Sequence, residues 1–159
     1  MPQSAAAPLV QLISAELALL REFVTLLGDE QGALVRGELD RLIPLAEEKS
    51  RLAASLAQAA EGRNAALATL GLAKDRPGVE TWLAVHPELQ QTAQDWQILL
   101  DLAAAARDQN ELNGKLIHSR LQQNQRALAA LSAATHQTML YGPDGQVHSS
   151  SGGRTFGKF

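Results

Sequence analysis

The side chains of this chain best suited to chemistry are four histidines: His86, His118, His136 and His148. No two are four residues apart, and none forms a metal-binding motif with a nearby carboxylate. They are expected as ordinary surface or boundary residues. A histidine on a helical bundle can carry a phosphoryl group, but that chemistry goes with a lysine soon after it and a glycine nearby. After His118 come Ser119, Arg120, Leu121 and Gln122, a poor match. Glu47, Glu48 and Lys49 form the densest charge cluster. Carboxylates do acid–base work only in a sheltered cleft. A solvated helix face with pairs such as Glu47–Arg51 accounts for them. The glycines at 142 and 145 lack the Gly-Lys-Ser/Thr ending of a phosphate loop. No Ser-His-Asp convergence can be proposed. Neither an enzyme nor a cofactor site is expected.

The elements that carry these residues are helical. Hydrophobic residues make up 45% of the 159, enough to fold, and with only 4% aromatic the apolar content is mainly Leu and Ala, strong helix formers. The net charge of −3, with scattered Arg and Lys, argues against a nucleic-acid partner. The absence of cysteine excludes disulfides and thiol chemistry and fits a reducing compartment. No apolar run approaches about 20 residues, and the N-terminus lacks the basic start of a secretory signal, so the cytoplasm is the expected location.

Three long helical patterns follow. The first, over 9–35, carries Leu9, Ile13, Leu17, Leu20, Val24 and Leu27 on one face. Gly28 and Gly32 weaken its second half. The second, over 38–70, carries Leu42, Leu45, Leu52, Leu56 and Leu67, with Pro44 near its start and Gly71 as a stop. Lys49 and Arg63 interrupt that stripe, and their stems are expected to lie over apolar surface with the charge in water. A connector over 73–78 and a short helix over 79–85, with Trp82 and Leu83, lead to Pro87 as the opening residue of the third helix. That helix, over 87–135, would span roughly 70 Å. Its near-heptad seam includes Trp96, Leu99, Ala106, Ile117, Leu121, Leu128 and Leu131, with Asn110, Asn113 and Asn124 as register-fixing polar positions. The expected fold is all-α: an antiparallel three-helix bundle, or helical hairpin, with one long C-terminal helix. Residues 1–140 form the bundle domain, and 141–159 a loosely structured tail beginning at the turn Tyr141-Gly142-Pro143-Asp144-Gly145. A third helix longer than its partners leaves apolar stripe for a binding or dimer surface.

Two stretches carry a family resemblance. One is the acidic helix start at Asp40 leading into Glu48-Lys49-Ser50-Arg51-Leu52. The other is Asn110-Glu111-Leu112-Asn113-Gly114-Lys115-Leu116-Ile117, followed by Tyr141-Gly142-Pro143-Asp144-Gly145-Gln146. In order, spacing and length this resembles the FlgN family of flagellar export chaperones. The resemblance implies a cytosolic chaperone of the flagellar type III secretion system, without a cofactor. It would bind the C-terminal segments of hook–filament junction proteins, prevent premature assembly, and bring them to an export-gate component at the membrane. It also implies that Tyr141, the matching position, contributes to docking on the gate.

Amphipathic cargo segments can bury their apolar face along a helix groove. The candidate partner-binding residues are Leu121, Leu128, Leu131, Met139, Leu140 and Tyr141. The spacing of the three leucines suits bundle core as well as a binding face. The same heptad permits a homodimer, and a self-associating coiled-coil adaptor without cargo is the alternative function.

Overall fold

Among the described residues four helices follow one another: α1 (Gln3–Arg36), α2 (Leu39–Thr69), α3 (Asp75–Ala84) and α4 (Gln90–Leu140). The structure, a computed structural model, describes the backbone of residues 3–140 and the side chains of residues 6–134. The fold is all-α with one long C-terminal helix, as the sequence predicts. The chain divides into two units, Met1–Ile117 and His118–Phe159. Among the described residues no helix is long and apolar enough to cross a membrane. The tail expected after Leu140 lies outside the described residues.

In the first unit α1 and α2 form an antiparallel hairpin. Gly37 turns the chain with φ 69°, and the Glu38 amide donates to the Ala33 carbonyl at 2.9 Å, closing the end of α1. Gly71 does the same after α2, with φ 70° and a 3.0 Å bond from the Leu72 amide to the Leu67 carbonyl. Two ion pairs set the register of the hairpin. Arg63 Nη1 meets both carboxylate oxygens of Glu16 at 2.5 Å, and Lys49 Nζ lies 2.9 Å from Glu30. The pairs are fourteen residues apart on each helix, close to four full turns, so both fall on the face where the helices meet.

The core is built on the predicted face of α1. Leu9, Ile13, Leu17, Leu20 and Leu27 are buried, and Leu67, Val79 and Trp82 close over them from α2 and α3. From α4 come Trp96, Leu99 and Ala106. α1 continues unbroken through Gly28 and Gly32 to Arg36, because Leu27, Glu30, Ala33 and Leu34 keep that stretch buried. Pro44 lies inside α2 on an exposed turn, where water can serve the carbonyl that loses its amide donor.

Several expectations need correction. The connector is shorter than predicted, since α3 begins at Asp75 and takes up Pro77 and Gly78. Gly78 is buried against the preceding loop, where a Cβ would stand 1.6 Å from the Ala73 carbonyl oxygen. Asp75 adopts φ 61°, held by a reciprocal pair: its amide donates to Asn64 Oδ1 at 2.8 Å, and Asn64 Nδ2 donates back to Asp75 Oδ1 at 3.0 Å. Pro87 does not open α4. It is the second residue of a turn closed by a 3.0 Å bond from the Leu89 amide to the His86 carbonyl, and α4 starts at Gln90. Arg51 pairs with Glu48 rather than Glu47. Arg63 does not reach water: it is 5% exposed, between Glu16 and the ring of Trp96 at 5.3 Å.

Candidate functional site

The seam of α4 changes character along its length. In the first unit it is a packing surface. Trp96, Leu99 and Ala106 are buried, and Asn113 is fully enclosed. The Asn113 amide donates to the Leu27 carbonyl and to Glu30 Oε1, both at 2.9 Å, while Gln109 Nε2 donates to Gln31 at 2.6 Å. Of the three predicted register asparagines only Asn113 does this work. Asn110 and Asn124 are exposed.

In the second unit the same periodicity faces solvent. Leu121 is 54% exposed, Leu128 66% and Leu131 65%. They are not core, although their spacing suited core. Asn124, Ala127, Leu128 and Leu131 line a shallow depression of about 320 Å³. None of these four side chains titrates, so the depression offers apolar contact and one amide, with no acid, base or nucleophile. Covering one exposed leucine fully is worth about 1.5–3 kcal/mol, so the stripe leaves apolar surface facing water at that cost. Met139 and Leu140 lie on the α4 backbone, but their side chains are outside the described residues, as is Tyr141 entirely.

The other candidate groups are dispersed. His86 sits against Trp82, ring centres 5.3 Å apart, with Nδ1 2.9 Å from Glu88. His118 contacts Gln122 at 3.3 Å on an exposed face. His136 and His148 lie outside the described side chains. Among the described residues no group of three His, Asp or Glu side chains is placed to hold a metal ion.

The charged groups are shifted by their immediate surroundings. Burial pushes the Glu16 carboxyl above its ordinary value, and Arg63 pulls it partly back. Hydrogen bonds from Arg36 and Arg41 hold Glu38 below the ordinary glutamate value, and Arg51 does the same for Glu48. One apolar set escaped notice in the sequence. Val35, Leu39 and Ile43, around the α1–α2 turn, are 61%, 57% and 69% exposed. Their types match core residues, and only their offset from the Leu42–Leu45 stripe distinguishes Ile43.

A protein of Yersinia enterocolitica named Flagella synthesis protein FlgN is 28% identical over 141 residues, covering 87% of this chain and 88% of the relative. A Salmonella typhimurium protein of the same name is 29% identical over 147 residues, covering 91% and 94%. No solved structure matches the chain. A sequence model of one family, described as FlgN protein, matches residues 1–149. With that match over nearly its whole length, the chain belongs to the FlgN family.

Proposed function

We propose that this protein serves flagellar synthesis as a cytoplasmic export chaperone. It holds the C-terminal segments of hook–filament junction proteins, keeps them from assembling early, and hands them to an export-gate component at the membrane. The exposed leucine stripe of α4, at Leu121, Leu128 and Leu131, is the observation that carries this reading, because soluble helices rarely leave such a stripe uncovered without a partner. The relatives named for flagella synthesis support the biological setting. Met139 and Leu140 follow the stripe in the sequence as further candidate contacts, and Tyr141 is assigned to docking on the gate by family resemblance.

The test is a titration of the full chain with a purified C-terminal fragment of a junction protein, read by light scattering on a sizing column. A discrete soluble complex at micromolar concentration is expected. A chain that dimerises tightly and ignores the fragment would instead be the cargo-free adaptor. Tyr141→Ala should leave the fragment complex intact and weaken capture by the isolated gate component.

A further inference from the structure

The sequence contains a single Asn-Gly step, Asn113-Gly114, and it falls inside α4. Such a step is a reactive setting for an asparagine. The backbone nitrogen of the following residue can attack the side-chain carbonyl carbon, and a glycine puts no Cβ in the way. Here both reactants are occupied. The Asn113 side chain is fully enclosed, and its amide donates to the Leu27 carbonyl and to Glu30 Oε1, both at 2.9 Å. Helical geometry turns the Gly114 amide back along α4 toward the Asn110 carbonyl. The folded chain therefore keeps the two groups from reacting. That protection is thin on its outer side. An ideal Cβ at Gly114 would meet nothing within 4 Å, so packing does not call for glycine there, and glycine is a weak helix former. Leu112 and Ile117, on either side, are 43% and 40% exposed. A helix with so little cover opens locally before the core does.

We propose that Asn113 is a latent deamidation site, which reacts only while α4 is open at this level and then blocks its return. In the open chain the Gly114 nitrogen loses its proton to water and bonds to Asn113 Cγ, and the side-chain nitrogen leaves as ammonia. The cyclic imide takes up one water and opens to aspartate, or to isoaspartate with the backbone routed through the former side chain. The product does not fit the site it left. A carboxylate at 113 keeps the weak contact from Gln109 Nε2, at 3.4 Å, but has no proton to give the Leu27 carbonyl. It also meets the Glu30 carboxylate, with Lys49 Nζ shared between the two acids. Isoaspartate adds a backbone carbon and breaks the helical spacing as well. A transient opening thus becomes a permanent loss of the level that ties α4 to α1 and α2.

The experiment follows the full chain by peptide mass mapping in mildly alkaline buffer, with urea raised from zero through the unfolding transition and tryptophan emission read in parallel. In the unfolded chain Asn113 should convert ahead of Asn64, Asn110 and Asn124, and Gly114→Ala should slow it. Without urea its conversion should be at least about a hundredfold slower than in the unfolded chain. The rate should already rise in urea too dilute to change the tryptophan emission, because the opening is local. Asn113→Asp supplies the product directly, and its Tm should fall by several degrees or its fold be lost. Adding Glu30→Gln turns the facing acceptor into a donor and should restore part of that loss. Conversion of the folded chain at the unfolded rate, or another asparagine leading in urea, would overturn the proposal. So would conversion that begins only with global unfolding, an Asn113→Asp chain with wild-type Tm, or a double variant no more stable than Asn113→Asp alone.

Discussion

Asn113 Nδ2 lies 2.9 Å from Glu30 Oε1, the same oxygen that Lys49 Nζ approaches at 2.9 Å. One carboxylate on α1 thus ties α2 and α4 to a single level of the bundle. Asn113 also donates to the Leu27 carbonyl at 2.9 Å, so sliding α4 by one turn would break two bonds and bury an unpaired amide. This marks the last level at which the α4 seam is fully enclosed, and Ile117, one turn on, is already 40% exposed.

Replacing Asn113 by alanine should therefore destabilise the protein by about 1–3 kcal/mol. At this chain length each kcal/mol lowers Tm by roughly 2–4 °C. Binding through the exposed leucines should survive. Thermal unfolding with a parallel binding titration checks both, and an unchanged Tm would mean that the buried amide does not set the register.

The Glu16–Arg63 pair makes a different prediction. Arg63→Ala alone strands a buried carboxylate and should cost about 3–5 kcal/mol. Arg63 Nε and Trp96 Nε1 already lack a hydrogen-bond partner among the described residues, so the polar cluster is not ideally satisfied. The double replacement Glu16→Leu with Arg63→Met should recover most of the loss. Urea titration of the two singles and the double measures the coupling directly.

Glu16 in α1 and Glu38 in the α1–α2 turn should titrate in opposite directions from the ordinary glutamate value of 4.5. Glu38, held by Arg36 and Arg41, should show its midpoint below that value. Its contribution to stability is present above 4.5 and is lost as pH falls through the lowered midpoint. Glu16 is raised by burial, with Arg63 acting against the shift, so folding favours its protonated form. Its share of stability is greatest at low pH and declines as pH climbs from 4.5 through the raised midpoint. Carboxyl carbon shifts followed by NMR from pH 2 to 8 would check the order, and coincident midpoints would refute it.

Gly78→Ala should be among the most damaging single changes, since the added carbon would sit 1.6 Å from the Ala73 carbonyl oxygen. The start of α3 and the loop at Ala73 must then move apart, loosening Val79 and Trp82 from the core. A red-shifted tryptophan emission and a loss of more than about 2 kcal/mol are expected. Native-like emission and stability would show that the loop relaxes freely.

Much of this fold is legible in the sequence where the signal is local. The α1 stripe from Leu9 to Leu27, the stop at Gly71, and the α4 seam follow from periodicity and turn chemistry. What escaped depends on distant partners. Arg63 and Lys49 look like surface residues until Glu16 and Glu30, 47 and 19 positions away, meet them across the hairpin. Pro87 suits a helix start and a turn equally by its ring, and the His86 carbonyl decides for the turn. For the candidate face, Leu121, Leu128 and Leu131 share their periodicity with buried residues of the same helix. Only the presence or absence of a neighbour separates core from surface, and periodicity does not record neighbours.

The central claim is that the leucine stripe of α4 is a partner face and not misplaced core. Leu128→Asp with Leu131→Asp, made in the full chain, tests it most directly through paired measurements of junction-fragment affinity and helical circular dichroism. Loss of binding by at least about a hundredfold, with helicity and Tm close to wild type, is the predicted result. Retained binding, or collapse of the fold on introducing the two charges, would contradict it.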